Sequence, residues 1–432
     1  MKNKTMHFLI PIYAAAMFLC ISSCGRKSGK GDNLTFMAWG DVYNKEFFNS
    51  LVRQYNKTNP KVKVEIFSVN RSEYYQKLVT MAAGKNLCDV TLVYYTEYDL
   101  LAFKDQLMPL DDLINGPEFK DILPHIMPNA ITDGRRRGVL YGMPLWTWTM
   151  NMYYNKTLLQ KFGVGELDGK WNWNDFLNVC RKITRRDSAM ERSFGTGNMT
   201  SGYWPFHEQL LKQNDLSLYS PDMQRCLINS KSHLPIWQYL FDMGLKHKVV
   251  VTKSELESVA SAGSSGQGGA FGSGMIGFSS GGRELAGMFV KANLPFTWDV
   301  VKMPTDKKDA YTSLNAYVGI TKYSKKKDAA EAFLKWMAGE QGQRLITLRR
   351  MDIAVYKPLL YSSEFENMLG MPKMNILFRD SIEKSVPSDP SFPNLQEFRD
   401  TIKNQFELIN EGKRELRHAL NEIAAAYDEL KE

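Results

Sequence analysis

Two overlapping glycine-rich motifs carry residue types that serve nucleotide binding or nucleophilic catalysis. Residues 272–277 match Gly-x-Gly-x-x-Gly, which in dinucleotide-binding proteins follows a strand and begins a helix whose amides face the pyrophosphate. Here the motif precedes and enters a predicted strand at residues 275–278, so the context for nucleotide binding is missing. Residues 277–281 match Gly-x-Ser-x-Gly, with Ser279 between that strand and a predicted helix at residues 283–290. This is the context in which a nucleophilic serine is found.

A serine hydrolase would also need an acidic residue and then a histidine after the serine. The only histidine after Ser279 is His418, which stands beside Arg417 on the last predicted helix. A surface position explains this histidine better than a catalytic triad does. We therefore interpret residues 277–281 as a turn, permitted by glycine, whose amides and hydroxyls face a cleft.

The remaining titratable side chains show no metal-ligand spacing. The six histidines are isolated, and three scattered cysteines predict neither a disulfide framework nor a metal site. The pairs Tyr94-Tyr95 and Tyr153-Tyr154 suggest ferric iron ligation, but adjacent strand residues point to opposite faces, so at least one of each pair belongs to the core. The sequence predicts no metal and no cofactor. The three cysteines are Cys88, Cys180 and Cys226.

Tryptophan is the residue type whose placement is most informative. Four of the nine tryptophans fall on or at the starts of predicted helices and a fifth begins a predicted strand, which suits a core, but the other four lie at strand ends or in loops. A flat aromatic ring suits the C–H face of a sugar, whose hydroxyls then need hydrogen bonds from charged or amide groups. Ordinary packing is the alternative for each. The four at strand ends or in loops are Trp39, Trp146, Trp148 and Trp204.

Short apolar strands alternate with amphipathic helices in the first part of the chain. Strands are predicted at residues 34–39, 62–66 and 89–94, and the helix after the first carries Phe47, Leu51 and Tyr55 on one stripe. This alternation predicts parallel βαβ units and an α/β fold. Residues 258–274 are rich in Gly and Ser and predict a mobile loop.

Composition and charge narrow the class of protein. The chain has 432 residues, of which 44% are hydrophobic and 24% are charged, as in soluble globular proteins of two or three domains. The net charge of +8 is mild and both signs are interspersed, which argues against a nucleic-acid partner. The clearest basic run, at residues 135–137, lies between glycines and predicts a solvated hairpin turn.

The amino terminus has the layout of a secretory signal. Lys2 and Lys4 precede an apolar run that ends in small residues, and the run is too short to anchor a membrane protein. Residues 21–24 (Ile-Ser-Ser-Cys) resemble a bacterial lipobox, which would make Cys24 the lipidated first residue. We expect a signal peptide at residues 1–23 and a lipid-anchored tether at residues 24–33. Ordinary secretion with an unmodified Cys24 is the alternative.

From residue 34 onward the chain resembles the family 1 extracellular solute-binding proteins of ABC importers, the maltose-binding-protein class. The most specific element is Asp133-Gly134, followed by residues 141–144 (Tyr-Gly-Met-Pro) and 154–156 (Tyr-Asn-Lys). Residues 173–176 (Trp-Asn-Asp-Phe) and 270–274 (Ala-Phe-Gly-Ser-Gly) follow in the family's order. The order and spacing of these elements carry the resemblance, because each is weak alone.

The resemblance implies an α/β, two-lobe periplasmic-binding-protein fold, with mixed sheets, helices on both faces and a ligand cleft between the lobes. We expect lobe 1 to comprise residues 34–145 with 311–360, and lobe 2 to comprise residues 146–310 with 361–432. The chain is expected to cross between the lobes near three segments. These are residues 143–146, 315–319 and 356–362.

The resemblance also implies a function without catalytic chemistry. The protein would bind a sugar or oligosaccharide in the cleft and deliver it to ABC permease subunits in the membrane. We expect an exported monomer in the cell envelope, held to a membrane by its lipid. The residues that match cleft positions, or lie beside them, are Trp39, Asp41, Glu97, Trp146, Trp148, Tyr203, Trp204, Ser279, Gly281, Arg283 and Arg399.

Two departures from the family leave other ligands open. Gly282-Arg283 stand where some relatives have a stacking tryptophan, and Arg399 stands in a region where the maltose class has an aromatic residue. Arginines suit a uronate or a phosphorylated ligand through bidentate contacts. A second hypothesis is therefore the same scaffold binding a phosphoester, uronate, polyamine or ferric ion. A third is an exported carbohydrate-active enzyme that uses carboxylates such as Glu97 and Glu208.

Overall fold

The computed structural model describes residues 33–40, 42–59, 61–186, 192–197, 199–201, 205–259, 267–350 and 352–431. The strands are β1 (Leu34–Trp39), β2 (Val64–Val69), β3 (Val90–Tyr94), β4 (Arg135–Arg136), β5 (Val139–Leu140), β6 (Met143–Trp148), β7 (Asn151–Asn155), β8 (Phe194–Thr196), β9 (Ile276–Gly281), β10 (Trp298–Val301), β11 (Leu314–Ile320) and β12 (Ile353–Ala354). The helices are α1 (Val42–Thr58), α2 (Arg71–Ala83), α3 (Tyr95–Phe103), α4 (Asp111–Ile114), α5 (Pro128–Asp133), α6 (Lys156–Lys161), α7 (Trp173–Ile183), α8 (Pro205–Gln213), α9 (Leu234–Leu245), α10 (Lys253–Val259), α11 (Gln267–Gly272), α12 (Glu284–Ala292), α13 (Lys327–Ala338), α14 (Glu340–Arg350), α15 (Lys357–Leu360), α16 (Ser363–Glu366), α17 (Pro372–Glu383), α18 (Leu395–Asn410) and α19 (Leu416–Leu430).

The larger sheet of the described residues has six strands in the order β12-β6-β11-β3-β1-β2. β1 pairs in parallel with β2 and β3, whereas β11 runs antiparallel to β3 and β6. Buried residues occupy both faces of β1, as in a sheet covered by helices. Helix α1 buries Phe47, Leu51 and Tyr55, which is the stripe predicted from the sequence. The α/β class is confirmed.

The smaller sheet has the order β10-β7-β9-β8 and is mixed, because β8 and β9 are parallel while the other pairs are antiparallel. Its two faces belong to different cores: Tyr153 packs with one and Tyr154 with the other. Helix α7 begins with a capping box, in which the Asn172 side chain accepts the Asp175 N–H and the Asp175 carboxylate accepts the Asn172 N–H. We call the part built on the larger sheet lobe 1 and the part built on the smaller sheet lobe 2.

The chain passes between the two sheets several times. It leaves the larger sheet after Trp148 and enters β7 at Asn151, a little later than the crossing expected near residues 143–146, because β6 stays paired with β11 and β12. A second passage, residues 302–313, connects β10 to β11. After β12, the chain runs through α15 and α16 to α17, which contacts β10, and residues 384–394 then lead to α18.

The basic run at residues 135–137 forms the predicted hairpin, in which β4 pairs with β5. Arg137 (φ 51°) and Gly138 (φ 84°) occupy its two-residue turn in the left-handed region. The prediction that the run is solvated was wrong for Arg136, whose side chain is 10% exposed and pairs with the buried carboxylate of Asp99 at 2.5 Å. The hairpin folds back onto α3, and this brings the two charges together.

The glycine-rich stretch at residues 258–274 is not a loop throughout. Gln267–Gly272 forms helix α11, which packs against β9. Phe271 drives this packing, because its fully buried ring contacts Phe289 and Phe296. The Gly- and Ser-rich composition therefore gave no indication that Phe271 anchors a helix within this stretch.

Three features bear on the expected cell-envelope location. Cys88, Cys180 and Cys226 are buried free thiols. Among the described residues, no helix combines the length and apolar character needed to cross a membrane. The predicted signal peptide, Cys24 and nearly all of the tether lie outside the described residues.

Candidate functional site

Several of the predicted site residues lie at one edge of the larger sheet. β11 is antiparallel to both β3 and β6, so β1, β3 and β6 all end at the same edge. Trp39 ends β1, Tyr94 ends β3 and Trp148 ends β6. Ligand sites of open α/β sheets lie outside the carboxyl ends of the strands. We call this edge the carboxyl edge.

An aromatic cluster fills the middle of the carboxyl edge. The Trp39 ring stacks on Tyr94 with centroids 4.7 Å apart, and Trp146 meets both rings edge-on at 6.1 Å. Trp39 is 2% exposed and Trp146 is fully buried. Both rings are therefore enclosed by protein atoms, and in this arrangement neither tryptophan presents a face to a sugar.

Glu97 is held by an arginine that the sequence analysis missed. Arg71 Nη1 lies 2.5 Å from Glu97 Oε1, and the Arg71 guanidinium lies 5.0 Å from the Trp39 ring centroid and 5.5 Å from that of Tyr94. Burial lowers the pKa of Arg71, but the Glu97 carboxylate outweighs this effect and raises it. Glu97 therefore orders the aromatic cluster through Arg71. The signal available in the sequence was the position of Arg71 at the start of α2, two residues after the end of β2.

Trp148 connects the two lobes. It is partly exposed, and its Nε1 donates to Glu284 Oε2 of lobe 2 at 2.7 Å. The indole lies against the backbone of Gly282, where a Cβ atom would come within 1.7 Å of Nε1. Among the predicted tryptophans that the structure describes, Trp148 is thus the one that lies in one lobe and contacts the other.

The interpretation of residues 277–281 as a turn was wrong, because β9 continues through Gly281 and the turn to α12 begins only after it. Ser279 lies inside β9 with a buried hydroxyl that has no hydrogen-bond partner among the described residues, and Gly281 ends the strand. Arg283 is 1% exposed, donates from Nε to Asn375 Oδ1 at 2.8 Å, and lies 4.7 Å from the Phe365 ring centroid. Burial lowers the pKa of Arg283 to about 10. Arg283 therefore fastens α12 to α16 and α17.

Arg399 of α18 meets lobe 1 at the first residue of α3. Its guanidinium carbon lies 4.3 Å from the centroid of the Tyr95 ring. Tyr95 directly follows Tyr94, so this contact belongs to the carboxyl edge of the larger sheet. The side chain is partly exposed, while its Nε atom is buried without a partner.

The residues considered for catalysis or metal binding are separated or already engaged. Glu208 Oε1 accepts the backbone N–H of Asp389 at 2.5 Å, and burial together with the Asp389 carboxylate raises the pKa of Glu208. His418 is more than half exposed on α19, beside Glu422. Within the described ranges, no group of three or more His, Cys, Asp or Glu side chains is arranged to hold a metal ion.

Three predicted site residues, Asp41, Tyr203 and Trp204, lie outside the described residues. They flank described elements of both lobes: Asp41 comes directly before α1, and Trp204 directly before α8.

Known proteins agree on the family and the fold. The family model described as bacterial extracellular solute-binding protein matches residues 41–344. The arabinooligosaccharide-binding protein of Bacillus subtilis is 24% identical over 251 residues, which cover 54% of this chain and 57% of that protein. A putative ABC transporter periplasmic-binding protein of Escherichia coli is 21% identical over 235 residues, covering 52% of this chain and 50% of that protein. The chain therefore spans about half the length of the curated relatives it matches.

Two solved structures are similar over nearly the whole chain. An ABC substrate-binding protein of Listeria monocytogenes, in complex with cycloalternan, has a TM-score of 0.81 at 21% identity and covers 92% of this chain and 98% of its own. The sugar-binding protein MalE of Xanthomonas citri has a TM-score of 0.76 at 19% identity, and the match covers 92% of this chain and 97% of that protein. These likenesses confirm the two-lobe α/β fold. Since the family model spans well over half of the sequence, the chain belongs to the bacterial extracellular solute-binding proteins.

Proposed function

We propose that this protein is the carbohydrate-binding receptor of an ABC importer and holds a sugar or oligosaccharide between its two lobes. The observation that carries the proposal is the meeting of both lobes at the carboxyl edge, through Trp148 with Glu284 and through Tyr95 with Arg399. Aromatic faces beside charged groups suit a saccharide, because its C–H face packs on rings and its hydroxyls hydrogen-bond to polar groups. The relatives named for sugars support the same ligand class.

Isothermal titration against a panel of mono- and oligosaccharides tests this proposal. We expect one saccharide to bind with a stoichiometry of one per chain, and to be recovered unchanged after prolonged incubation. Recovery of shortened products would instead favour the exported enzyme. Absence of binding across neutral and acidic saccharides, with binding of a polyamine or phosphoester, would overturn the carbohydrate assignment.

The anchor is a second part of the proposal. Cys24 would receive lipid after cleavage of residues 1–23, which would hold the mature protein at the outer face of a membrane, where it acts as a monomer on the permease subunits. We expect Cys24→Ala to abolish incorporation of labelled palmitate and to leave the protein uncleaved or released. Cys88→Ala serves as the matched control, because Cys88 is a buried thiol of lobe 1. Equal labelling of the Cys24→Ala variant would end the idea.

A further inference from the structure

Arg399 brings a positive charge to the contact between the lobes. Among the described residues no carboxylate forms a salt bridge with it, and Glu208 and Asp99 act on its charge only from a greater distance. Its guanidinium packs on the Tyr95 ring, and its Nε atom is buried without a hydrogen-bond partner among the described residues. Other arginines that reach the interior are engaged: Arg71 pairs with Glu97, and Arg136 pairs with Asp99. A buried N–H group without a hydrogen-bond partner is costly, so an anion that pairs with the guanidinium would stabilise Arg399 in this position.

The carboxylates nearest to Arg399 are committed elsewhere. Asp99 binds Arg136 with one oxygen and the Ser391 hydroxyl with the other. Glu208 accepts the backbone N–H of Asp389, which holds its carboxylate towards that residue. Burial also lowers the pKa of Arg399, but Tyr95, Tyr219 and Glu208 outweigh this effect and raise it, so the guanidinium remains charged.

The space around Arg399 determines from which side an anion can approach. On the side of Glu208 and Tyr219, the cavity beside Arg399 has a volume of about 30 Å³, which is about the volume of one water molecule. A sugar ring cannot enter there. The guanidinium also packs on Tyr95, which directly follows β3 at the carboxyl edge, and we take this edge as the side from which a ligand approaches.

We propose that the saccharide carries a carboxylate, as a uronic acid residue does, and that Arg399 binds this carboxylate. The Tyr95 ring packs against the guanidinium and fixes its orientation. The inference rests on the proposed function and narrows it to acidic saccharides. A planar guanidinium matches a carboxylate through two parallel hydrogen bonds, whereas a sugar hydroxyl leaves its charge uncompensated.

Titration with matched ligands tests the carboxylate. The pairs are oligogalacturonates with galacto-oligosaccharides of equal length, and glucuronate-bearing xylo-oligosaccharides with their unsubstituted counterparts. We expect the acidic member of one pair to bind at least about tenfold more tightly, as for a charge-assisted hydrogen bond, and to weaken as salt rises. The methyl ester of the same uronate, which keeps the ring and removes the charge, should lose that advantage.

Variants assign the effect to Arg399. We expect Arg399→Gln to lower affinity for the acidic ligand about tenfold or more while leaving that for the neutral partner within about twofold. Arg399→Lys keeps the charge but not the planar fork, so its affinity for the acidic ligand should lie between those of wild type and Arg399→Gln. Arg344→Gln is the matched control, because Arg344 is an exposed arginine paired with Glu340 and Glu364 on lobe 1. Should Arg399→Gln fail to fold, the ester and the salt dependence still decide.

The outcomes separate this inference from the function on which it rests. Equal affinity for acidic and neutral partners would overturn the inference and leave the carbohydrate receptor standing. Tight binding of a phosphorylated sugar, with no preference for the uronates, would overturn the carboxylate assignment. Failure of every saccharide to bind would overturn both.

Discussion

At the scale of single residues, tryptophans with similar sequence contexts have different surroundings. Trp146 and Trp148 are two residues apart on β6 and point to the same side of the strand, yet Trp146 is fully buried and Trp148 is partly exposed. The difference comes from position along the strand: Trp146 lies under Trp39 and Phe48, whereas Trp148 lies where the chain leaves the sheet. Trp148 is therefore the described tryptophan that we keep as a ligand contact.

A pair of tryptophan variants distinguishes binding from folding. Trp148→Ala should weaken saccharide binding by about 1–3 kcal/mol, the cost of one buried aromatic contact, with little change in Tm. Trp173→Ala should instead lower the free energy of unfolding by about 3–5 kcal/mol, because Trp173 is buried in lobe 2 and donates to Gln213. Titration and urea unfolding of both variants provide the measurement. Wild-type affinity in Trp148→Ala would remove Trp148 from the site.

Asp133 predicts a pH dependence of stability. Burial raises the pKa of this carboxyl to about 6, even though the Ser313 hydroxyl donates to it. A raised pKa means that the folded state binds the proton more tightly, so the contribution is complete below about pH 4 and is lost as the pH rises through about 6. Asp133→Asn should remove this loss, giving a higher Tm than wild type at pH 7.5 and a flatter profile between pH 4 and 7.

Thermal unfolding across that pH range checks the Asp133 prediction. Asp121→Asn is the control, because Asp121 is exposed on the same lobe and should leave the profile unchanged. A variant at Asp133 that is less stable than wild type at pH 7.5 would show that the charged form is the one the fold favours.

At the scale of elements, the turn from β9 to α12 positions a contact between the lobes. The Tyr153 hydroxyl donates to the carbonyl of Gly282 at 2.7 Å, which holds the turn from within lobe 2. The absence of a side chain at Gly282 then lets the Trp148 indole reach Glu284. The glycine of this turn allows Trp148 to approach the backbone closely. The turn does not present a nucleophile, because Ser279 lies within β9, the strand that precedes it.

Filling the turn should disturb binding without removing any polar group. In Gly282→Ala the new Cβ would collide with Trp148 Nε1, so the indole must move away from Glu284. We expect a severalfold loss of saccharide affinity and a shift of tryptophan emission, at a Tm close to that of wild type. Gly165→Ala is the control, because its Cβ would meet open space. Unchanged affinity in Gly282→Ala would indicate that this contact has no role in the site.

At the scale of the whole molecule, the two lobes meet through side chains at the carboxyl edge, and several chain segments join them. The segment after α17 is held from both sides: Ser391 donates to Asp99 of lobe 1, and the Asp389 backbone donates to Glu208 of lobe 2. Joined lobes of this kind move as rigid bodies, and rotation is absorbed at a few connecting residues. A ligand that touches both lobes binds the closed arrangement more tightly and therefore favours it.

Small-angle scattering measures this closure. We expect the radius of gyration to fall when saturating ligand is added, because the lobes then close on it. Trp148→Ala, measured at a ligand concentration too low to saturate the variant, should keep the larger radius. A profile that does not change at proven saturation would count against closure of the cleft.

The sequence by itself determined the features that depend on local pattern. Apolar spacing in α1, the Asn172 cap of α7 and the turn at Gly138 require only neighbouring residues, so helices, strands and the hairpin could be predicted from it. The order of short motifs such as Asp133-Gly134 then indicated the family and, through it, the two-lobe fold.

Only the tertiary structure decided which predicted site residues are buried and which face the other lobe. Arg283 bonds to Asn375, which is 92 residues away in the chain, and Trp148 bonds to Glu284, which is 136 residues away. Glu97 and Arg71 come from neighbouring elements whose side chains meet only after β1, β2 and β3 have paired. The burial and charge pairing of a side chain depend on such distant contacts. The pattern along a strand or helix indicates only the face of that element on which the side chain lies. The contact of the Arg399 guanidinium with Tyr95 became visible for this reason only in the folded chain.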